Sequence, residues 1–165
     1  MKLNVILIIA ASMVAATCQD KTSDTSLTSP DGEINVSFSL SQEGIPHYLV
    51  SAYGQAVINS SELGLEAAEA ELAKGFTIKE IHRSSKDEQW EQPWGENKVM
   101  RDNHREMAVE MSNGQGVKLT LRFKAFDDGV GYRYEYDATA VTDSLTIIGD
   151  HTYFNFAQDG MSWSI

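Results

Sequence analysis

Hydrophobic and polar residues alternate along most of the chain from Ile34 onward. Ile34, Val36, Phe38 and Leu40 are separated by Asn35, Ser37 and Ser39, the period of a half-buried strand. Ser41-Gln42-Glu43-Gly44 supplies a turn, and Tyr48–Tyr53 returns as the expected hairpin partner. Tyr53-Gly54-Gln55 turns again into Ala56-Val57-Ile58. Arg105–Met111 alternates as well and leads to Asn113-Gly114, a strong hairpin signal. Val117, Leu119, Leu121 and Phe123 then alternate with Lys118, Thr120, Arg122 and Lys124. Asp127-Asp128-Gly129 breaks that strand, and Val130, Tyr132, Tyr134 and Tyr136 share one face of the next, opposite Arg133 and Glu135. Ser144–Ile148 and Thr152–Phe156 read as two further strands. Many short strands with turn signals roughly every 8–12 residues predict an all-β, antiparallel β-sandwich.

Only Ser60–Lys74 has helical character. Glu66–Lys74 (EAAEAELAK) is rich in good helix formers, but its apolar positions are mostly alanine and would pack weakly. The segment is expected as a short surface helix or an irregular connection, so the fold carries at most one short helix.

The start of the chain reads as an address. Lys2 precedes a compact apolar run, Val5–Ala11, and small residues follow at Ala15-Ala16-Thr17. The run is shorter than the ~20 apolar residues of a spanning helix, so residues 1–17 are expected to be a signal peptide. Ala15-Ala16-Thr17-Cys18 resembles a bacterial lipobox, which makes Cys18 the lipidation candidate and the membrane a partner through a lipid anchor. Ordinary cleavage after Ala16 is the alternative. Either route exports the protein to the periplasm or cell envelope. Residues 18–29, polar and Ser/Thr-rich, read as a flexible tether, and residues 30–165 as the folded domain.

Composition narrows the function. With 165 residues the chain suits one domain and falls short of the ~250 residues of a (β/α)₈ barrel. A net charge of −11 argues against nucleic acid, because an acidic surface repels phosphate. A single cysteine excludes an internal disulfide and a Cys-based zinc site. His47, His82, His104 and His151 have no metal-ligand spacing, and Asp127-Asp128-Gly129 lacks the ligand alternation of a calcium loop and reads as a turn. No phosphate-binding loop, dinucleotide fingerprint or nucleophile elbow is present.

The unusual stretch is Asp87–His104 (DEQWEQPWGENKVMRDNH), which reads as turn or loop chemistry rather than strand. Trp90 and Trp94 flank a proline, beside a glycine. Aromatic faces suit the C–H faces of sugar rings, and Glu96, Asn103 or His104 could bond sugar hydroxyls. These five residues are the substrate-binding candidates. Tryptophans that anchor a long loop to a sandwich edge are the alternative.

Five segments in order resemble the N-terminal domain of glycoside hydrolase family 97, a family of α-glucosidases and α-galactosidases. They are Ser29-Pro30-Asp31-Gly32-Glu33-Ile34, Leu63-Gly64-Leu65, Trp90–Glu96 with Asn103-His104, Phe126–Tyr134 and Gly149-Asp150-His151-Thr152. Gln92 and Pro93 shift the spacing of the third slightly. The resemblance implies a galactose-mutarotase-like β-supersandwich that packs on a catalytic (β/α)₈ barrel and helps form its active site. It also implies exo-acting, calcium-dependent hydrolysis of α-linked oligosaccharides by barrel carboxylates. No segment of this chain matches those carboxylates, so no catalytic residue is assigned and the chain alone is expected to be inactive. The resemblance places the domain's calcium-ligating glutamate beyond Trp163, where the sequence reads Ser164-Ile165. No metal residue is assigned, and no calcium site is complete in this chain.

Met161–Ile165 alternates like a strand cut partway, and the leading expectation is a domain truncated before its barrel. A face apolar enough to meet that barrel should then be exposed. The alternative function is a stand-alone carbohydrate-binding lipoprotein module without hydrolase activity. A mutarotase-like activity is a third reading that rests on fold analogy alone.

Overall fold

A computed structural model describes residues 24–136 and 144–161. The signal peptide, Cys18, most of the proposed tether and the terminal residues 162–165 lie outside the described residues. Eleven strands run through them: β1 (Ser26–Thr28), β2 (Ile34–Leu40), β3 (Pro46–Ala52), β4 (Gln55–Glu62), β5 (Leu65–Ala67), β6 (Glu71–Leu72), β7 (Phe76–Glu91), β8 (Val99–Asn113), β9 (Lys118–Phe126), β10 (Gly129–Tyr136) and β11 (Ile147–Asp150). Every pairing is antiparallel. Two four-stranded sheets, β1-β2-β3-β4 and β10-β9-β8-β7, enclose the core, and a three-stranded sheet β11-β5-β6 lies beside them.

The alternation read from the sequence points the expected side chains inward. Val36 and Phe38 of β2 meet Met107, Val109 and Met111 of β8 and Leu119, Leu121 and Phe123 of β9 in one buried cluster. Phe38 and Phe123 pack with ring centroids 6.0 Å apart. Burying each such large side chain contributes about 1.5–3 kcal/mol, enough for the two sheets to hold without a disulfide.

Turn chemistry sets the registers. Ala52 pairs with Gln55, leaving a two-residue turn with positive φ at both Tyr53 (52°) and Gly54 (74°), the pattern of the hairpin turn whose twist suits antiparallel strands. Gly44, at φ 72°, is pressed against the start of β7: a Cβ there would lie 2.4 Å from the Phe76 amide nitrogen. Asn113 closes the β8–β9 turn, its side-chain oxygen accepting the amides of Gln115 and Val117.

Four expectations are revised. No helix forms in Ser60–Lys74. Leu63 and Leu72 go to the interior, and Leu65–Ala67 pairs with β6 and β11 instead. Burial of two leucines and edge pairing override a propensity that rested on alanines with little surface to bury. Asp87–His104 is mostly strand: β7 and β8 continue through it, and only residues 92–98 form the connecting loop. Thr152–Phe156 is not a regular strand, making only one isolated bridge, from Phe156 to Ile58. The sandwich also begins inside the stretch read as tether, because Ser26–Thr28 pairs with β2 and buries Leu27.

Candidate functional site

Long strands build the candidate site. β7 and β8 form a hairpin of 16 and 15 residues. Its inner half is covered: β9 pairs with β8 from Ser112 to Arg105. Beyond that point six rungs, from Lys86–His104 to Glu91–Val99, continue as a bare two-stranded ribbon. Such a ribbon is marginal alone, and charged cross-strand contacts hold it. Arg101 donates two hydrogen bonds to the Asp87 carboxylate, at 2.7 and 2.8 Å, which keeps that carboxyl below its usual range. Lys86 bridges Glu88 and Asp102, and Lys98 meets Glu91 near the tip.

At the tip the Gln92 amide donates to Lys98 O and its side chain donates to Asn97 O. Gly95, at φ 124°, lets the Gln92 side-chain Nε2 approach to where a Cβ would collide with it. The loop is therefore ordered by its own groups. Trp94 nevertheless stands 84% exposed and Trp90, paired with Met100, 48% exposed. Glu96 lies exposed between them and Asn97.

Trp90, Trp94 and Glu96 thus share the tip. Asn103 does not: it lies half-buried on the ribbon opposite Asp87. His104 sits four rungs below Trp90, about 14 Å away at ~3.4 Å per residue. It is only 3% exposed, packs on the Phe126 ring at 5.2 Å and bonds Asp102 through Nδ1. That hydrogen bond holds the Asp102 carboxyl below its ordinary range. His104 therefore anchors the ribbon's base.

The other motif segments meet each other inside the fold. Asp31, in the turn after Ser29-Pro30, donates its amide to the Asp127 carboxylate at 2.9 Å, joining the β1–β2 turn to the β9–β10 turn. Ser29 Oγ and the Glu33 amide donate to Asp31 in turn. Leu63-Gly64-Leu65 meets Gly149–Thr152: the His151 amide donates to Gly64 O, and Tyr134 bonds Thr152 through their hydroxyls. Gly64 has Ala73 3.3 Å from where a Cβ would stand. Four of the five segments stitch the sandwich; the tryptophan segment joins them at its base, where His104 packs on Phe126, while its tip projects away.

A second exposed surface lies along β4. Residues 153–157 run beside its edge, with Asn59 donating to Asn155 O and Ala157 to Val57 O. Tyr153, Phe154 and Phe156 all stay more than half exposed, and the two phenylalanine rings stack at 6.4 Å. The sequence marked this segment only as a strand. Three aromatics in four residues were the available signal.

The chemistry the tip offers is contact. Aromatic faces at the tip can stack on a ring, and Glu96 can accept hydrogen bonds. Calcium takes six to eight oxygen ligands. Among the described residues no carboxylate cluster offers such a set: Asp31 and Asp127 are used in the turn contact, and the one group of three donor residues within reach of a single ion contains a histidine. No step through calcium is derived from these residues.

An antiparallel sandwich with a projecting, tryptophan-tipped hairpin is therefore the class that fold and site define. The family description "Glycosyl-hydrolase 97 N-terminal" matches residues 27–165, and the chain belongs to glycoside hydrolase family 97 as its N-terminal domain. Among solved structures, a family 97 enzyme from Pseudoalteromonas sp. strain K8 in complex with panose is similar at 37% identity and a TM-score of 0.74. The match covers 80% of this chain and 20% of that one. The same enzyme in complex with acarbose gives the same values. A beta-arabinopyranosidase shares the fold at 23% identity and a TM-score of 0.73, over 81% of this chain and 21% of its own. The chain spans about a fifth of the length of these relatives.

Proposed function

We propose that this domain serves a calcium-dependent, exo-acting α-glycoside hydrolase by packing on a catalytic (β/α)₈ barrel and helping to form its active site. Trp94 carries the reading: it is 84% exposed on an internally ordered loop, and the domain gives it no packing role. A large aromatic held out in solvent by an ordered turn favours an external contact. Similarity to an enzyme solved with panose and with acarbose supports an α-linked oligosaccharide as the substrate class. The aromatic strip Tyr153, Phe154 and Phe156 is the second surface offered to the barrel. Calcium donors and catalytic carboxylates come from outside the described residues. Export to the periplasm or envelope rests on Val5–Ala11 and the candidate acylation site Cys18. Loss of the protein from the membrane fraction in Cys18→Ala tests the anchor.

The chain alone should release nothing from p-nitrophenyl α-glucoside or α-galactoside in calcium, and panose should give no heat in calorimetry. Release of product would overturn the division of labour. Heat with panose that disappears in Trp94→Ala would instead favour a stand-alone carbohydrate-binding module.

A further inference from the structure

We propose that Glu80, His82 and Glu110 form a site for a divalent transition-metal ion of the zinc type on the outer face of the β7–β8 pair. The site follows from a β-bulge. Ile78 pairs with Met111 and Glu80 with Glu110, leaving Lys79 as the extra residue. Ile78 and Ile81 both pack on the core, so the bulge turns Glu80 and His82 outward together. Glu80 then stands directly across from Glu110, and His82 stands across from the small Ala108, which leaves its ring free to lean toward Glu110.

The spacing suits one ion. His82 Nε2 lies 3.1 Å from Glu110 Oε1 and 3.7 Å from Glu80 Oε2, and one donor atom from each residue falls within 4.8 Å of the others. Donors bound at ~2.0–2.2 Å in a tetrahedral shell sit about 3.3–3.5 Å apart, so small rotamer changes close the set and leave a fourth position for water. The donor types, one imidazole and two carboxylates, suit zinc or cobalt better than calcium.

Charge points the same way. Two carboxylates directly opposed on a sheet repel. Elsewhere on this face carboxylates meet guanidinium or ammonium groups: Glu106 has Arg122 and Lys124, and Glu135 has Arg122 and Arg133. Among the described residues no Lys or Arg pairs with Glu80 or Glu110, and His82 is the group between them.

Calorimetry of the whole chain with zinc chloride should show one saturable site, and cobalt should give the visible absorption of a low-symmetry site. His82→Ala and Glu110→Gln should each weaken zinc on the order of a hundredfold, since each removes one of three protein ligands. Exposure of all three side chains lets both variants keep the wild-type circular dichroism. His47→Ala and His151→Ala, which alter the other histidine–glutamate pairs, should leave zinc binding unchanged. Absence of a saturable zinc site would overturn the proposal. Equal zinc binding by His82→Ala, or calcium competing on equal terms, would overturn it too.

Discussion

The two halves of the β7–β8 hairpin share one backbone ladder and differ in nearly everything else. In the inner half, Ile78 pairs with Met111 and Ile81 with Val109, and Phe76 and Met107 join them in the same core, with β9 alongside and β2 beneath. In the outer half, from Lys86 to His104, the side chains are mainly charged or polar and, among the described residues, no third strand covers them. Backbone pairing alone therefore does not make a strand part of the sandwich. The inner half is held by buried apolar area, and the outer half by ion pairs that contribute little in water. A sequence that extends a strand pair past its core, then orders its tip with Gln92 and Gly95, leaves Trp94 84% exposed and Trp90 about half exposed.

The sharpest way to break this contrast is Phe123→Ala. It empties the middle of the core and should cost about 3–5 kcal/mol in urea unfolding. Gly44→Ala should follow, at about 1–3 kcal/mol for the strained backbone alone, because its new methyl group meets backbone atoms of Phe76. Both should act on the inner half, with the outer ribbon already labile. Hydrogen exchange should accordingly show protected amides at Val109 and Leu121 and fast exchange at Gln89 and Trp90.

Acid should separate the halves next. Arg122 donates to both oxygens of Glu135 at 2.7 and 2.9 Å, and with Arg133 it pulls the Glu135 carboxyl down to about 2. Its folded pKa lies below its unfolded one, so its stabilising effect is whole above the usual glutamate range and is lost as pH falls toward 2. Partial exposure and solvent screening keep the effect modest. Arg122→Met should flatten that part of the acid-stability curve, whereas removing the Asp87–Arg101 pair on the ribbon should leave global unfolding unmoved.

The smallest effect concerns a turn. Tyr53 holds a positive φ without the freedom of glycine, so Tyr53→Asn should raise stability by roughly half a kcal/mol or more.

Legibility from sequence followed the same contrast. β2, β3, β9 and β10 were readable because each has one buried and one wetted face, and the motif resemblance gave the family. β7 was invisible for two physical reasons. Its bulge at Lys79 shifts the inward positions from Phe76 and Ile78 to Ile81, which breaks the period of two. Its outer half has no buried face and so no alternation to read. Trp90, Trp94 and Glu96 could be grouped from their spacing alone. His104 could not be separated from them, because its burial depends on Phe126, far along the chain. The Glu80–His82–Glu110 cluster needed the bulge and the β7–β8 register together.

In the proposed function the tip of the outer ribbon serves something beyond this domain. The most direct measurement is Trp94→Ala in an enzyme carrying this domain joined to its catalytic barrel, with thermal stability of the isolated domain and kcat/KM for an α-linked oligosaccharide read side by side. Domain stability should stay within about 0.5 kcal/mol of wild type, as for a surface substitution, while kcat/KM falls at least about tenfold. An unchanged kcat/KM, or a domain destabilised by the loss of a side chain that touches little of it, would rule out a role for Trp94 beyond this domain.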